Sequence, residues 1–158
     1  MALCFIPGEP GEVSLLKSYL TAVRRSVDSL QYRNLYMEDE SGNVIDILED
    51  GNLSCAYYVT SVAHQFDLIS GIRTWVSEAV DELHRCGWHT IATPREGAIL
   101  VYKERQTQSG SYHKHIGFKL DGVLAISHHD SVRRPRIHHE TDLGLREIEQ
   151  VLWHEALV

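Results

Sequence analysis

The chain is poor in cysteine and proline, carries more acid than base, and has no long apolar run. Its three cysteines, Cys4, Cys55 and Cys86, form an odd set without Cys-x-x-Cys spacing. A disulfide framework is therefore not expected, and a reducing compartment fits better. With 4 prolines and 11 glycines among 158 residues, no repeat or low-complexity tract appears. The formal net charge of −7 and a pI near 5.8 argue against nucleic acid as the main partner. No stretch approaches the roughly 20 apolar residues of a membrane span, so no membrane partner is expected. The opening MALCFIPGEPGE lacks the basic-then-apolar order of a secretory signal. The expected location is the cytoplasm, or an export route from which the signal has already been removed. The only basic cluster, Arg133, Arg134 and Arg136, lies in a stretch that reads as loop. A solvated surface is its expected role, with contact to an anionic substrate as the alternative.

An apolar fraction of 43% with 23% charged residues is that of an ordinary globular domain. A single domain over residues 1–158 is expected, long enough to bury its own core. Val13, Leu16, Leu20, Val23 and Val27 recur at three or four residues and predict a helix over about 12–30. Residues 31–54 are acidic and rich in turn formers, and read as loop with a short apolar piece, Val44 to Leu48. The period changes at Cys55. Cys55, Tyr58, Val59, Val62, Phe66 and Ile69 form one helical stripe, with Ser54 placed to cap it. Another helix is expected over about 72–86, closed by Gly87. Strand patterns follow at 98–102, 113–120 and 123–129, the last two flanking Asp121-Gly122, a two-residue hairpin signal. Ile148 to His154 reads as a closing strand. Helices first and strands later predict an α+β fold, N-terminal helices packed on a mainly antiparallel sheet.

Cys55 is the first chemical candidate. The free N–H groups and dipole at a helix start favour the thiolate, the form in which cysteine is nucleophilic; the competing reading is a small buried apolar residue. A two-residue turn at Asp121-Gly122 would set Leu120 opposite Val123 and His115 opposite His128. The two rings would then share a face, their Cβ atoms about 5 Å apart. That pairs a base with an orienting partner. A slip of one residue would bring in Ser127 or His129 instead, with Asp130 near on the diagonal. His113, His115 and His128 form an imaginable zinc set, but no ligand motif accompanies them, so no metal or other cofactor is expected.

Three segments resemble the NlpC-type cell-wall peptidases and the related CHAP amidases, both papain-like folds. Asn52-Leu53-Ser54-Cys55-Ala56-Tyr57-Tyr58-Val59 is similar to the family's DCSGFV helix start. Pro94 to Tyr102 is similar to its P-x-x-GDLVFF strand, and His115-Ile116-Gly117-Phe118-Lys119-Leu120-Asp121-Gly122 to its HVGIYLGNG strand. The matches run in the family's order and cover about Cys55 to Asp130. The resemblance implies a papain-like fold with residues 1–30 as an N-terminal helical region and 55–130 as the catalytic core. It implies Cys55 as nucleophile, His115 as base, and a third polar residue at or beside His128. Tyr36 is matched to a tyrosine near the oxyanion site, with Ser54 beside it. Cleavage of an amide bond in a peptide or peptidoglycan-fragment substrate is the implied activity. Ser54 stands where the family usually has Asp, and Ala56-Tyr57 where it has Ser-Gly. The alternatives are an acyltransferase or thioesterase on the same fold, or a non-enzymatic His-rich metal-binding module.

Overall fold

A computed structural model describes residues 13–107 and 110–158. Its elements are α1 (Leu15–Arg25), β1 (Tyr36–Glu38), β2 (Val44–Asp46), α2 (Cys55–Gln65), α3 (Val76–Arg85), β3 (His89–Thr90), β4 (Ile99–Gln106), β5 (Tyr112–Lys119), β6 (Leu124–His129), β7 (Arg134–His139) and β8 (Ile148–Trp153). The larger sheet runs β3-β8-β4-β5-β6-β7, and every strand pairing among the described residues is antiparallel. The α+β expectation, helices on a mainly antiparallel sheet, matches this architecture. The closing segment is indeed a strand, and β8 inserts between β3 and β4.

The helices are shorter than the apolar periodicity alone suggests. In α1 the Ser14 hydroxyl accepts from the Lys17 amide and starts the helix; Asp28 has turned to φ 62° by the time the expected span would end. For α3 the first turn begins after Trp75, whose ring is exposed, so Ile72 and Trp75 lie ahead of the helix. The 31–54 stretch also departs from the expected loop. Its apolar piece pairs with Tyr36–Glu38 as a two-stranded ribbon.

One face of the large sheet carries the core. The rings of Tyr19 from α1 and Tyr58 from α2 meet Phe118 of β5 edge-on, at centroid distances of 5.9 and 5.4 Å. Ile116, Leu120, Ile126, Val59 and Val62 fill the same buried layer. The Tyr19 hydroxyl donates to the Gly97 carbonyl at 2.8 Å, and Tyr58 shares a 2.6 Å hydrogen bond with Ser26. The buried phenols of Tyr19 and Tyr58 therefore both have partners, which offsets their desolvation.

The segment leading into α2 is fixed by charge. The Asp46 carboxylate accepts from the amides of Leu35, Leu48 and Asp50 and from the Asn34 side chain. Arg33 grips Asp50 through two contacts, at 2.7 and 2.9 Å, and Arg133 reaches the same carboxylate at 3.2 Å. Gly51, at φ 89°, lies so close to Arg133 that an added Cβ would sit 2.9 Å from that residue's own Cβ. The turn before Cys55 is thus bolted to the turn between β6 and β7. This also revises the basic cluster. Arg133 pairs with Asp50 and Arg134 with Asp28, while Arg134 and Arg136 belong to β7 and not to a loop.

The β5–β6 hairpin differs from its expected form by one residue. The Leu120 amide donates to the Leu124 carbonyl, so Asp121, Gly122 and Val123 make a three-residue connection, with Gly122 at φ 57°. Phe118 pairs with Ile126 and Lys119 with Ala125. This register moves every residue of β6 to the opposite face from the one expected. At Gly117 the strands come close enough that a Cβ would stand 2.7 Å from the Ile126 carbonyl oxygen. Replacement Gly117→Ala should therefore push β6 away and destabilise the protein by about 1–3 kcal/mol. Urea unfolding would measure the loss; an unchanged midpoint would show that the crossing tolerates a methyl group.

Candidate active site

Cys55 is the first residue of α2, as the change of period predicts. Ser54 is at the cap position and buried, but its hydroxyl makes no capping hydrogen bond and has no partner among the described residues. Its backbone explains this: at φ −95° and ψ −1° Ser54 is already helical, whereas a capping side chain needs extended geometry to reach the first-turn amides.

The half-buried Cys55 sulfur faces the backbone N–H of Ile116, the residue after His115 on β5. Paired residues of β5 and β6 are confined to 118–119 and 125–126, so the helix start meets β5 where its ladder to β6 has ended. Burial pushes the Cys55 thiol above its ordinary pKa. The amides of Ala56 and Ile116, the charge of Arg146 and its own N–H pull the other way without prevailing. The resting group is the thiol, not the thiolate expected from helix position alone: desolvation outweighs the dipole here.

His115 is 8% exposed and directly opposite Tyr102 of β4, with the two rings 5.6 Å apart. Burial holds its imidazole well below the ordinary value, with Arg146, His138, His129 and Arg105 adding to the effect. The ring is neutral at neutral pH and able to accept a proton. Among the described residues no hydrogen bond joins the Cys55 sulfur to the His115 ring.

His128 is not the partner of His115. With Phe118 opposite Ile126, it falls on the core face, 2% exposed, its ring 6.3 Å from that of Tyr58. Both of its nitrogens are buried without partners among the described residues. The one-residue longer turn is the cause, and by the same alternation His129 moves onto the face of His115. The imagined zinc set of His113, His115 and His128 is split between two faces; among the described residues no three His, Cys, Asp or Glu side chains converge as a metal site would need. Tyr36 stands on the β1–β2 ribbon, 64% exposed. No hydrogen bond or ring contact links it to Cys55 or His115 among the described residues.

Three features of the site have no counterpart in the sequence pattern. Tyr102 is fully buried beside His115, and its hydroxyl has no hydrogen-bond partner among the described residues. Ser127 and His138 are joined at 2.8 Å across β6 and β7, and His138 Nδ1 lies 2.7 Å from the His139 carbonyl. That carbonyl fixes the proton on Nδ1, so the other ring nitrogen accepts from Ser127. Ser127 is fully buried, which suits a strut and not a nucleophile. Arg146, half-buried in the β7–β8 connection, lies within electrostatic reach of Cys55, Tyr102, His115, His129 and His138. A lone arginine in a turn carries no sequence signal that would have singled it out.

Neither the known protein-family models nor the curated proteins contain a match to this chain. The site therefore stands on its own geometry.

The buried histidines give stability a definite pH dependence. His128 titrates at about 4 in the folded protein and near 6.5 in an unfolded chain. Between those values the unfolded state binds more protons, so stability is complete above pH 6.5 and is lost as pH falls toward 4. His115, His129 and His138 shift in the same direction. His128→Phe should flatten part of this slope and, by removing two unpartnered nitrogens, keep or raise stability near neutrality. Chemical unfolding at neutral and mildly acidic pH would show it. Identical slopes in the two proteins would mean that His128 does not contribute.

Proposed function

We propose that the protein is a cysteine hydrolase of papain-like architecture that cleaves an amide bond, with Cys55 as nucleophile and His115 as proton shuttle. The observation that carries this reading is the seat of the Cys55 sulfur. It lies at the first residue of a helix, against the amide next to His115, where β5 and β6 have parted. A nucleophile at a helix start and a neutral base on the facing strand are the two parts the chemistry needs.

In this reading the sulfur attacks the substrate carbonyl while the thiol proton passes to the neutral ring of His115. The Cys55 backbone N–H, at the helix start, helps to hold the oxyanion that forms. His115 then gives the proton to the leaving amine, and an acyl group remains on sulfur. Water, deprotonated by His115, releases the acid and restores the thiol. Because both groups rest neutral, the proton moves during attack, not before it. His129 is carried to the face of His115 by the longer turn, with its Nδ1 held by the Ser131 hydroxyl at 2.8 Å. Peptides, including peptidoglycan fragments, are the substrate class that the motif resemblance supports.

An activated neutral ester tests the nucleophile whatever the natural substrate. p-Nitrophenyl acetate should leave one acetyl group on Cys55, located by peptide mass mapping. Cys55→Ala should abolish that adduct, and His115→Ala should slow its formation by about 10²-fold or more. Acetylation spread evenly over Cys4, Cys55 and Cys86 would sink the assignment. The acid limb of the rate profile should fall well below pH 6.5, because burial holds His115 deprotonated there. A limb at the ordinary histidine value would assign the proton transfer to another group.

A further inference from the structure

An orienting partner for His115 is expected on β6, yet the histidines of β6 and β7 are committed elsewhere. His128 is in the core, the Nδ1 atom of His129 is held by Ser131, and His138 has one ring nitrogen on Ser127 and the other on the His139 carbonyl. No hydrogen bond from another described residue reaches the His115 ring. The torsion that turns an imidazole about its Cβ–Cγ bond is broad and does not fix the ring plane by itself. The direction in which the His115 nitrogens point is therefore set by packing.

The packing comes from β4. Tyr102 is directly opposite His115, with the two rings 5.6 Å apart and inclined at 38°, inside the range over which aromatic rings attract. Tyr102 is fully buried, and on its other side it is opposite Ile148 of β8. A row of His115, Tyr102 and Ile148 thus crosses three strands. The regular ladders both change register beside Tyr102. The pairing with β5 shifts between Tyr102 and Arg105, and the pairing with β8 shifts between Val101 and Tyr102. Irregularities of this kind re-aim a side chain and are concentrated next to functional sites. The Tyr102 hydroxyl has no partner among the described residues, so what this residue presents to His115 is its ring.

We propose that Tyr102 is the positioning residue of His115: its ring, held against the imidazole from β4, fixes the plane of the base and screens it from solvent. That is the part expected of a polar side chain on β6, filled instead by an aromatic ring from the opposite neighbour of β5. The use of His115 as a proton shuttle rests on the cysteine-hydrolase reading; the ring contact does not. The charged and titratable groups around His115 are Arg105 on β4, His129 on β6, His138 on β7 and Arg146 in the β7–β8 connection, with Cys55 of α2 against the next amide. All of them remain when Tyr102 is replaced, so substitution there tests the ring.

The test compares Tyr102→Leu, which removes the ring, with Tyr102→Phe, which keeps it and discards only the hydroxyl. Circular dichroism confirms the fold of each variant. Acetylation of Cys55 by p-nitrophenyl acetate should slow by about tenfold or more in Tyr102→Leu, because the base is no longer held in place, and Tyr102→Phe should restore it. The acid limb of the rate profile, and the titration of the His115 ring protons followed by NMR, should move up toward about 6.5 in Tyr102→Leu alone as the imidazole loses its cover. In the wild type, nuclear Overhauser effects should join the ring protons of Tyr102 and His115; their absence overturns the proposal without any variant. A Tyr102→Leu protein that is less stable but keeps the rate, the limb and the His115 titration shows a merely structural tyrosine and overturns it too. So does a Tyr102→Phe protein as slow as Tyr102→Leu, which assigns the role to the hydroxyl. The NMR titration separates this idea from the one it rests on. A His115 titration that moves in Tyr102→Leu, with no acetylation of Cys55 in the wild type, keeps the contact and removes the hydrolase. Acetylation of Cys55 that is indifferent to Tyr102, with an unmoved titration, does the reverse.

Discussion

The close crossing of β5 and β6 at Gly117 is the constraint on which the rest of the site depends. Only a residue without a side chain lets the Ile126 carbonyl approach β5 so nearly. Past that point the ladder does not continue, and the start of α2 comes up against β5 there. Cys55 thereby meets the amide of Ile116, and His115 is buried beside Tyr102 with no hydrogen bond to its ring from another described residue. A bulkier residue at 117 would hold the strands apart along their length and remove the place where helix and strand meet.

The two faces of β5 have opposite electrostatic lives. On the helix side Phe118, Tyr19 and Tyr58 make an apolar layer, and the one intruder, His128, is held neutral by that burial. On the other side stand the rings of His115, His129 and His138 with three arginines and little acid within pairing distance. Burial there lowers the histidines, and the arginines lower them further. The result is a set of neutral bases in a positive field. Such a field favours an anion over a neutral group. Cys55 experiences the same balance with the opposite outcome: burial raises it more than the helix start and Arg146 can lower it.

The turn before α2 shows how an acidic chain builds this positive site. Asp46 and Asp50 spend their lone pairs on backbone amides and on Arg33 and Arg133. The acids thus order the loop before Cys55, while Arg105, Arg136 and Arg146, without ion pairs among the described residues, act on the histidines His115, His129 and His138. The apparent basic cluster at 133–136 divides along this line. Arg133 and Arg134 are structural, and Arg136 belongs to the site.

How much of this was legible in the chain follows from the range of the forces involved. Local periodicity was enough for the start of α2 at Cys55, the strands on either side of Asp121-Gly122, the final strand and the α+β class, because a helix or strand writes its own spacing into adjacent residues. The hairpin register was not legible. Asp121-Gly122 suits both a two-residue and a three-residue turn, and one residue reverses the face of every side chain on β6; His128 went to the core and His129 to the site for that reason alone. The protonation of Cys55 was equally out of reach, since a helix start is visible in sequence but the desolvation that opposes it is not. Arg146, Tyr102 and the free arginines around them gained their meaning only from tertiary structure. What sets them apart is the absence of a partner, and whether a partner is near is decided by the packed fold and not by the order of residues along the chain.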